Sequence, residues 1–120
     1  MSTSVIISTF NQPQWLRKVL IGYENQSIKD FELIIADDGS DEKTKVLIDE
    51  FKKKSLLDIV HIYQEDKGFR KCRILNKAIV AAKGDYIILS DGDCIPRADF
   101  VSVHLSERKT KHYLSGGYCK

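Results

Sequence analysis

No stretch of this sequence approaches the roughly 20 consecutive apolar residues that a membrane-spanning helix needs. The N-terminus, MSTSVIISTF, has no charged segment ahead of its apolar run, and the run is too short for a secretory leader. Cysteine is scarce. Cys72, Cys94 and Cys119 are odd in number and lack CxxC spacing, so they read as reduced thiols of a cytoplasmic protein rather than a disulfide framework or zinc site. His61, His104 and His112 are isolated, with no HxxH or HxxE spacing for zinc, and His61 reads as structural or exposed within a strand. An excess of one charge is also missing. Nineteen Lys and Arg against 17 Asp and Glu leave a net charge of +2, which argues against nucleic acid as a partner. No GxGxxG follows the first apolar run and no GxxxxGK[ST] exists, which disfavours nicotinamide-binding folds and removes P-loop NTPases. There is no internal repeat and no low-complexity segment.

What remains is a 120-residue chain, 42% hydrophobic and 30% charged, consistent with one soluble domain over residues 1–120. Four short β-branched runs recur: SVIIS (4–8), FELIIA (31–36), DIVHIY (58–63) and DYIILS (85–90). Helical periodicity separates them. Trp15, Leu16, Val19, Leu20 and Tyr23 form one apolar stripe, with Pro13 near its start. Val46, Leu47 and Phe51 form a second, after Ser40 and Asp41 as candidate N-caps. Cys72, Leu75, Ile79 and Ala82 form a third, with Gly84 as its stop. A fourth helix is expected from Arg97 to Glu107, opened by Pro96. This alternation predicts an α/β fold, a Rossmann-like mostly parallel sheet with helices on both faces. The last residues, HYLSGGYCK (112–120), read as the start of a fifth strand. A sheet cut there would leave one edge or face uncovered.

In open parallel sheets, ligands bind beyond the carboxyl ends of the strands. STFNQP (8–13), DDGSD (37–41), QEDKGFRK (64–71) and SDGDC (90–94) all lie at those ends. Asp91 and Asp93, at i and i+2, can point to one side and share a cation. Hard oxygen ligands suit Mg²⁺ or Mn²⁺ completed by phosphates, and Gly92 offers no side chain to block a phosphate. On spacing alone an acidic turn after a strand is the preferred reading, because DxD is a short motif with many chance matches. Asp37 and Asp38 can accept hydrogen bonds from a base or ribose, or serve with Gly39, Ser40 and Asp41 as turn and cap. Arg73, Asn76 and Lys77 share a helix face that could approach a pyrophosphate. For Lys71 and Lys77 a solvated surface is the preferred reading.

VIISTFNQPQWLRKVL (5–20), FELIIADDGSD (31–41), GFRKCRILNKAI (68–79) and GDYIILSDGDCIP (84–96) resemble, in order and spacing, the family 2 glycosyltransferases, whose fold is of the GT-A type. The resemblance implies that Ser8, Thr9, Phe10 and Asn11 line a nucleotide base pocket. It implies that Asp38, preceded by Asp37, contacts uracil or ribose. Asp91 is expected near the ribose or the metal, and Asp93 is expected to bind Mn²⁺ (or Mg²⁺) bridging the two phosphates of a UDP-sugar. Many members carry adjacent Arg-Asn on the third helix. Here Ile74 and Leu75 separate Arg73 from Asn76, so Arg73 is carried over to the nucleotide-sugar site and Asn76 less firmly. The family's catalytic base lies after the segment matched here, so the catalytic residue stays unassigned and the domain is expected to lack the acceptor-binding part. The implied reaction is transfer of a sugar from a UDP-sugar to a saccharide or lipid-linked saccharide hydroxyl, inverting and metal-dependent, in bacterial polysaccharide or glycoconjugate synthesis. A donor-binding module without transfer of its own is the alternative. A receiver-like signalling domain fits worse, because no lysine is placed at a later strand end and the acidic pair follows the second strand. Peripheral membrane contact stays open.

Overall fold

The computed structural model describes residues 2–115. Eight elements alternate: β1 (Thr3–Thr9), α1 (Pro13–Glu24), β2 (Glu32–Asp37), α2 (Glu42–Lys54), β3 (Asp58–Tyr63), α3 (Lys71–Ala81), β4 (Tyr86–Asp91) and α4 (Phe100–Glu107). The strands form one parallel sheet in the order β3-β2-β1-β4.

Side chains of a strand alternate between faces, and both faces here are apolar. Val5, Ile7, Leu33, Ile35 and Ile59 pack against Leu16, Val19 and Leu20 of α1, Leu47 and Ile48 of α2 and Val101 of α4. Ile6, Ile34 and Ala36 pack on the other side against Ile74 and Ala78 of α3. Helices therefore cover both faces, three on one and α3 on the other. The α/β expectation holds.

The helix faces differ from the periodicity in places. In α3 the buried residues are Ile74 and Ala78, whereas Cys72 and Ile79 are exposed and Leu75 is only partly covered. The buried seam is rotated from the expected stripe: Ile74 and Ala78, four residues apart, are the pair turned onto β1 and β2. Trp15 and Val46 likewise face outward, while Thr44 and Ile48 turn inward. Trp15 instead carries the Lys18 ammonium over its ring at 4.8 Å. The third helix stops at Ala81, before Gly84. Gly84 is needed for another reason: a Cβ there would lie 2.6 Å from the backbone nitrogen of Ser4.

The fourth helix starts at Phe100 rather than Arg97. Residues 92–99 form a connection held by Gln26 at the end of α1. The Gln26 amide donates to the Arg97 carbonyl at 2.6 Å and its oxygen accepts from Val101 N at 3.0 Å. Asp99, at the N-cap position, makes no capping bond of its own, so Gln26 caps α4 from outside. Residues 112–115 carry no strand, and the rest of the expected fifth strand lies outside the described residues. Among the described residues β4 is an edge strand, and Leu89 on it is 55% exposed. No helix of the described residues is long and apolar enough to cross a membrane.

Candidate donor site

The chain runs from β1 outward to β2 and β3, then returns past β1 to β4. Strand order reverses between β1 and β4, the switch point beyond whose carboxyl ends open parallel sheets bind their ligands. Ser8 and Asp91 are register partners there. The Ser8 hydroxyl donates to Asp91 Oδ1 at 2.9 Å, and the Lys71 ammonium donates to the same oxygen at 2.7 Å. Lys71 opens α3, so three elements converge on one carboxylate. The Lys71 hydrogen bond holds the Asp91 carboxyl below its ordinary range; partial burial opposes this and Ser8 assists it. Lys71 is thus not a member of a solvated face. The available signal was local: a lysine at the start of a helix sits against the positive end of the macrodipole, and no acidic residue in that first turn offsets it.

Asp93 is exposed beyond the strand. Ligand atoms of Asp91, Asp93 and Cys94 lie within 4.8 Å of one another. Burial pushes the Cys94 thiol up and the two aspartates push it further; its soft sulfur also matches Mg²⁺ and Mn²⁺ poorly. Two carboxylates remain, a donor set that fits Mg²⁺ or Mn²⁺ completed by water and phosphate oxygens. Gly92 also serves the backbone. Its N–H donates to the Ser8 carbonyl at 2.6 Å, and a Cβ there would also lie 2.6 Å from that oxygen.

The acidic pair after β2 is committed inward. Asp37 is 1% exposed. Its Oδ1 accepts from Ser40 N at 2.9 Å and its Oδ2 pairs with His61 Nε2 at 2.8 Å. Asp38 N donates to the Thr9 carbonyl, which binds the two loops together. Asp38 Oδ1 accepts from Gln64 Nε2 at 2.6 Å and Oδ2 from Arg70 N at 2.8 Å. Asp38 therefore fixes the loop between β3 and α3, and with it the start of α3. Gln64 and Arg70 were not singled out as site residues by sequence. Their role depends on a partner 26 or 32 residues away. Asn11 adopts a left-handed φ of 47°, its N–H donates to Ser40 Oγ, and its Oδ1 accepts from Asp41 N at 2.7 Å. Thr9 is buried with its hydroxyl unpartnered, and Phe10 is 44% exposed. Arg73 is exposed and its side chain makes no hydrogen bond or ion pair among the described residues. A cleft of about 530 Å³ lies beside the start of α2, lined by Ser40, Asp41, Glu42, Lys45, His61 and Tyr63. It contains none of Ser8, Lys71, Asp91 and Asp93, and the convergence of charge marks the carboxyl ends of β1 and β4 instead.

A family model, Glycosyl transferase family 2, matches residues 4–114. The chain belongs to family 2 of the glycosyl transferases. Chondroitin synthase of Escherichia coli is 36% identical over 103 residues, covering 85% of this chain and 15% of that protein. Hyaluronan synthase of Pasteurella multocida is 36% identical over 105 residues, covering 87% and 11%. The chain thus spans a small fraction of the length of these relatives. A mannosyltransferase from Pyrobaculum calidifontis, solved with GDP-Man and Mn²⁺, superposes with a TM-score of 0.76 at 21% identity, over 86% of this chain and 31% of that one. S. aureus TarS 1–349 with UDP-GlcNAc gives 0.73 at 21%, over 88% and 30%. These structures establish the GT-A fold of this family 2 domain.

Proposed function

We propose that residues 1–120 form the donor-binding domain of a glycosyltransferase that moves a sugar from a UDP-sugar to an acceptor hydroxyl, with inversion at the anomeric carbon. The observation that carries this reading is the side-chain cluster at the strand-order reversal, where Ser8, Lys71 and Asp91 meet beside Asp93. In such a transfer, negative charge develops on the departing diphosphate. Asp91 and Asp93 would hold the divalent ion, and that ion, when bound, supplies a Lewis acid for the developing charge. Ser8 and Lys71 orient Asp91, Phe10 offers an exposed ring for a base, and the buried Asp37 and Asp38 hold the surrounding loops in register. Arg73, exposed near the start of α3, is assigned to the diphosphate side. UDP as the nucleotide is supported by TarS, solved with UDP-GlcNAc and with UDP, and Mn²⁺ by the mannosyltransferase complex. The acceptor is proposed to be a saccharide or lipid-linked saccharide, and the likeness to a chondroitin synthase and a hyaluronan synthase supports a place in polysaccharide or glycoconjugate synthesis. The free thiols Cys72 and Cys94 fit a cytoplasmic enzyme. Asp99 pairs with Arg97, and His104 packs edge-on to Phe100 with Nδ1 buried, so neither is proposed as the base. A second reading is a donor-binding module without transfer of its own.

Calorimetric titration of UDP with and without Mn²⁺, repeated on Asp93→Ala, tests the site. Metal-dependent binding that is lost in the variant is expected. Equal binding by both chains, or none by a chain that melts cooperatively, would overturn the donor-site reading. Sugar transfer to any acceptor hydroxyl removes the second reading.

A further inference from the structure

We infer that Lys71 is a built-in counter-cation of the acidic pair, which holds Asp91 while the donor site is empty and yields it only when metal and nucleoside diphosphate arrive together. The inference rests on the donor-site reading above. It concerns a lysine for which that reading supplies only an orienting contact.

The ammonium lies 2.7 Å from Asp91 Oδ1, the oxygen that also accepts from Ser8. A cation seated there competes directly with a divalent ion for the same lone pairs. The placement is locally unfavourable in every other respect. Lys71 is the first residue of α3, where the helix macrodipole repels positive charge. Arg70 precedes it and Arg73 follows, and the first turn holds no acidic residue. The Arg70 guanidinium is engaged by the Glu65 carbonyl at 2.9 Å, so Lys71 is the cation delivered to the aspartate. Asp91 offsets this local cost, and the loop that sets the start of α3 is itself clamped by Asp38 through Arg70 N and Gln64. The pair is about half exposed, with side chains 37% and 47% accessible, so the ammonium can leave by rotating its own stem.

Charge counting gives the consequence. Asp91, Asp93 and Lys71 together carry one net negative charge. A divalent ion alone must enter a site whose anionic charge is already half neutralised. A diphosphate reverses that: its oxygens complete the metal's shell and give the released ammonium a new anion. Metal and nucleotide then bind with positive coupling, and by linkage each raises the affinity of the other equally.

The experiment counts free Mn²⁺ by electron paramagnetic resonance in the wild type, Lys71→Met, Lys71→Arg and a net-charge control, Lys52→Met at the far end of α2. Each is titrated with MnCl₂ alone and again with UDP. Lys71→Met is expected to bind Mn²⁺ alone roughly fivefold more tightly, the scale of an exposed ion pair. It should bind UDP with Mn²⁺ more weakly, so the coupling shrinks. Lys71→Arg should retain wild-type coupling, and Lys52→Met should match the wild type. Unchanged or weaker binding of Mn²⁺ alone in a folded Lys71→Met overturns the inference while leaving the donor site intact. A wild type that binds no Mn²⁺ even with UDP overturns both.

Discussion

At the scale of single residues, aspartates that look alike in sequence do different work. Asp37 and Asp38 are buried and spend all four oxygens on protein donors, whereas Asp93 is exposed and Asp91 faces a lysine. Sequence supplied the residue types at the strand ends. It could not say which were clamps, because the deciding donors, His61, Gln64 and Lys71, lie 20 or more residues away. Tyr23 is another buried polar group. It packs edge-on to Phe31 and Phe100 at 6.2 Å each, and its hydroxyl makes no hydrogen bond. Burial pushes its phenol well above the usual value near 10; nearby Ser90 pulls back without forming a bond of good geometry, and Cys94 adds a smaller push. The folded state keeps this proton at a pH where the unfolded chain loses it. Stability is therefore untouched below about pH 10 and falls as pH rises beyond it. Tyr23→Phe should match or exceed the wild type by about 1 kcal/mol at neutral pH and show a shallower alkaline decline. Thermal melts from pH 7 to 11 check this, and parallel curves for the two proteins would count against it.

At the scale of elements, the joints matter more than the helices they join. Glu32 at the start of β2 accepts from Ser4 Oγ at 2.5 Å and from Lys83 N at 2.6 Å, tying β1, β2 and the entry to β4. Gly39 turns the chain after β2 with φ of 89°, and a Cβ there would sit 2.5 Å from the Asp66 backbone. Gln26 holds the connection that follows the acidic pair. Gln26→Ala would leave the buried Val101 N–H and the Arg97 carbonyl without their partner, at a cost of about 1–3 kcal/mol for each group that water does not reach. Chemical denaturation should show that loss of stability, together with weaker metal-dependent UDP binding as residues 92–99 loosen. A variant with wild-type stability would show that Gln26 is not the joint described.

At the scale of the whole molecule, strand order decides where chemistry can occur. Because β4 pairs with β1 and not with β3, Asp91 comes beside Ser8, 83 residues away in sequence. A ligand that bridges the ends of β1 and β4 touches both halves of the sheet and should stabilise the fold as a unit. With UDP and Mn²⁺ at about 100 times their dissociation constant, linkage predicts roughly 2.7 kcal/mol. For a chain of this size that raises the melting temperature by about 10 °C. Differential scanning fluorimetry should show the rise, and EDTA should abolish it with UDP still present. A rise that survives EDTA would mean the nucleotide binds without the aspartate pair.

The sequence by itself determined the alternation of strands and helices, the parallel sheet and the family. Those follow from local periodicity, turn residues and motif spacing, all readable within short windows. It also placed both acidic pairs at the ligand-binding ends of strands. Only the tertiary structure decided which face α3 buries, that Asp37 and Asp38 are clamps, that Gly92 makes room for the Ser8 carbonyl, and that Lys71 meets Asp91. Each of these depends on a contact between segments distant in the chain, and such contacts exist only once the strands have taken their order.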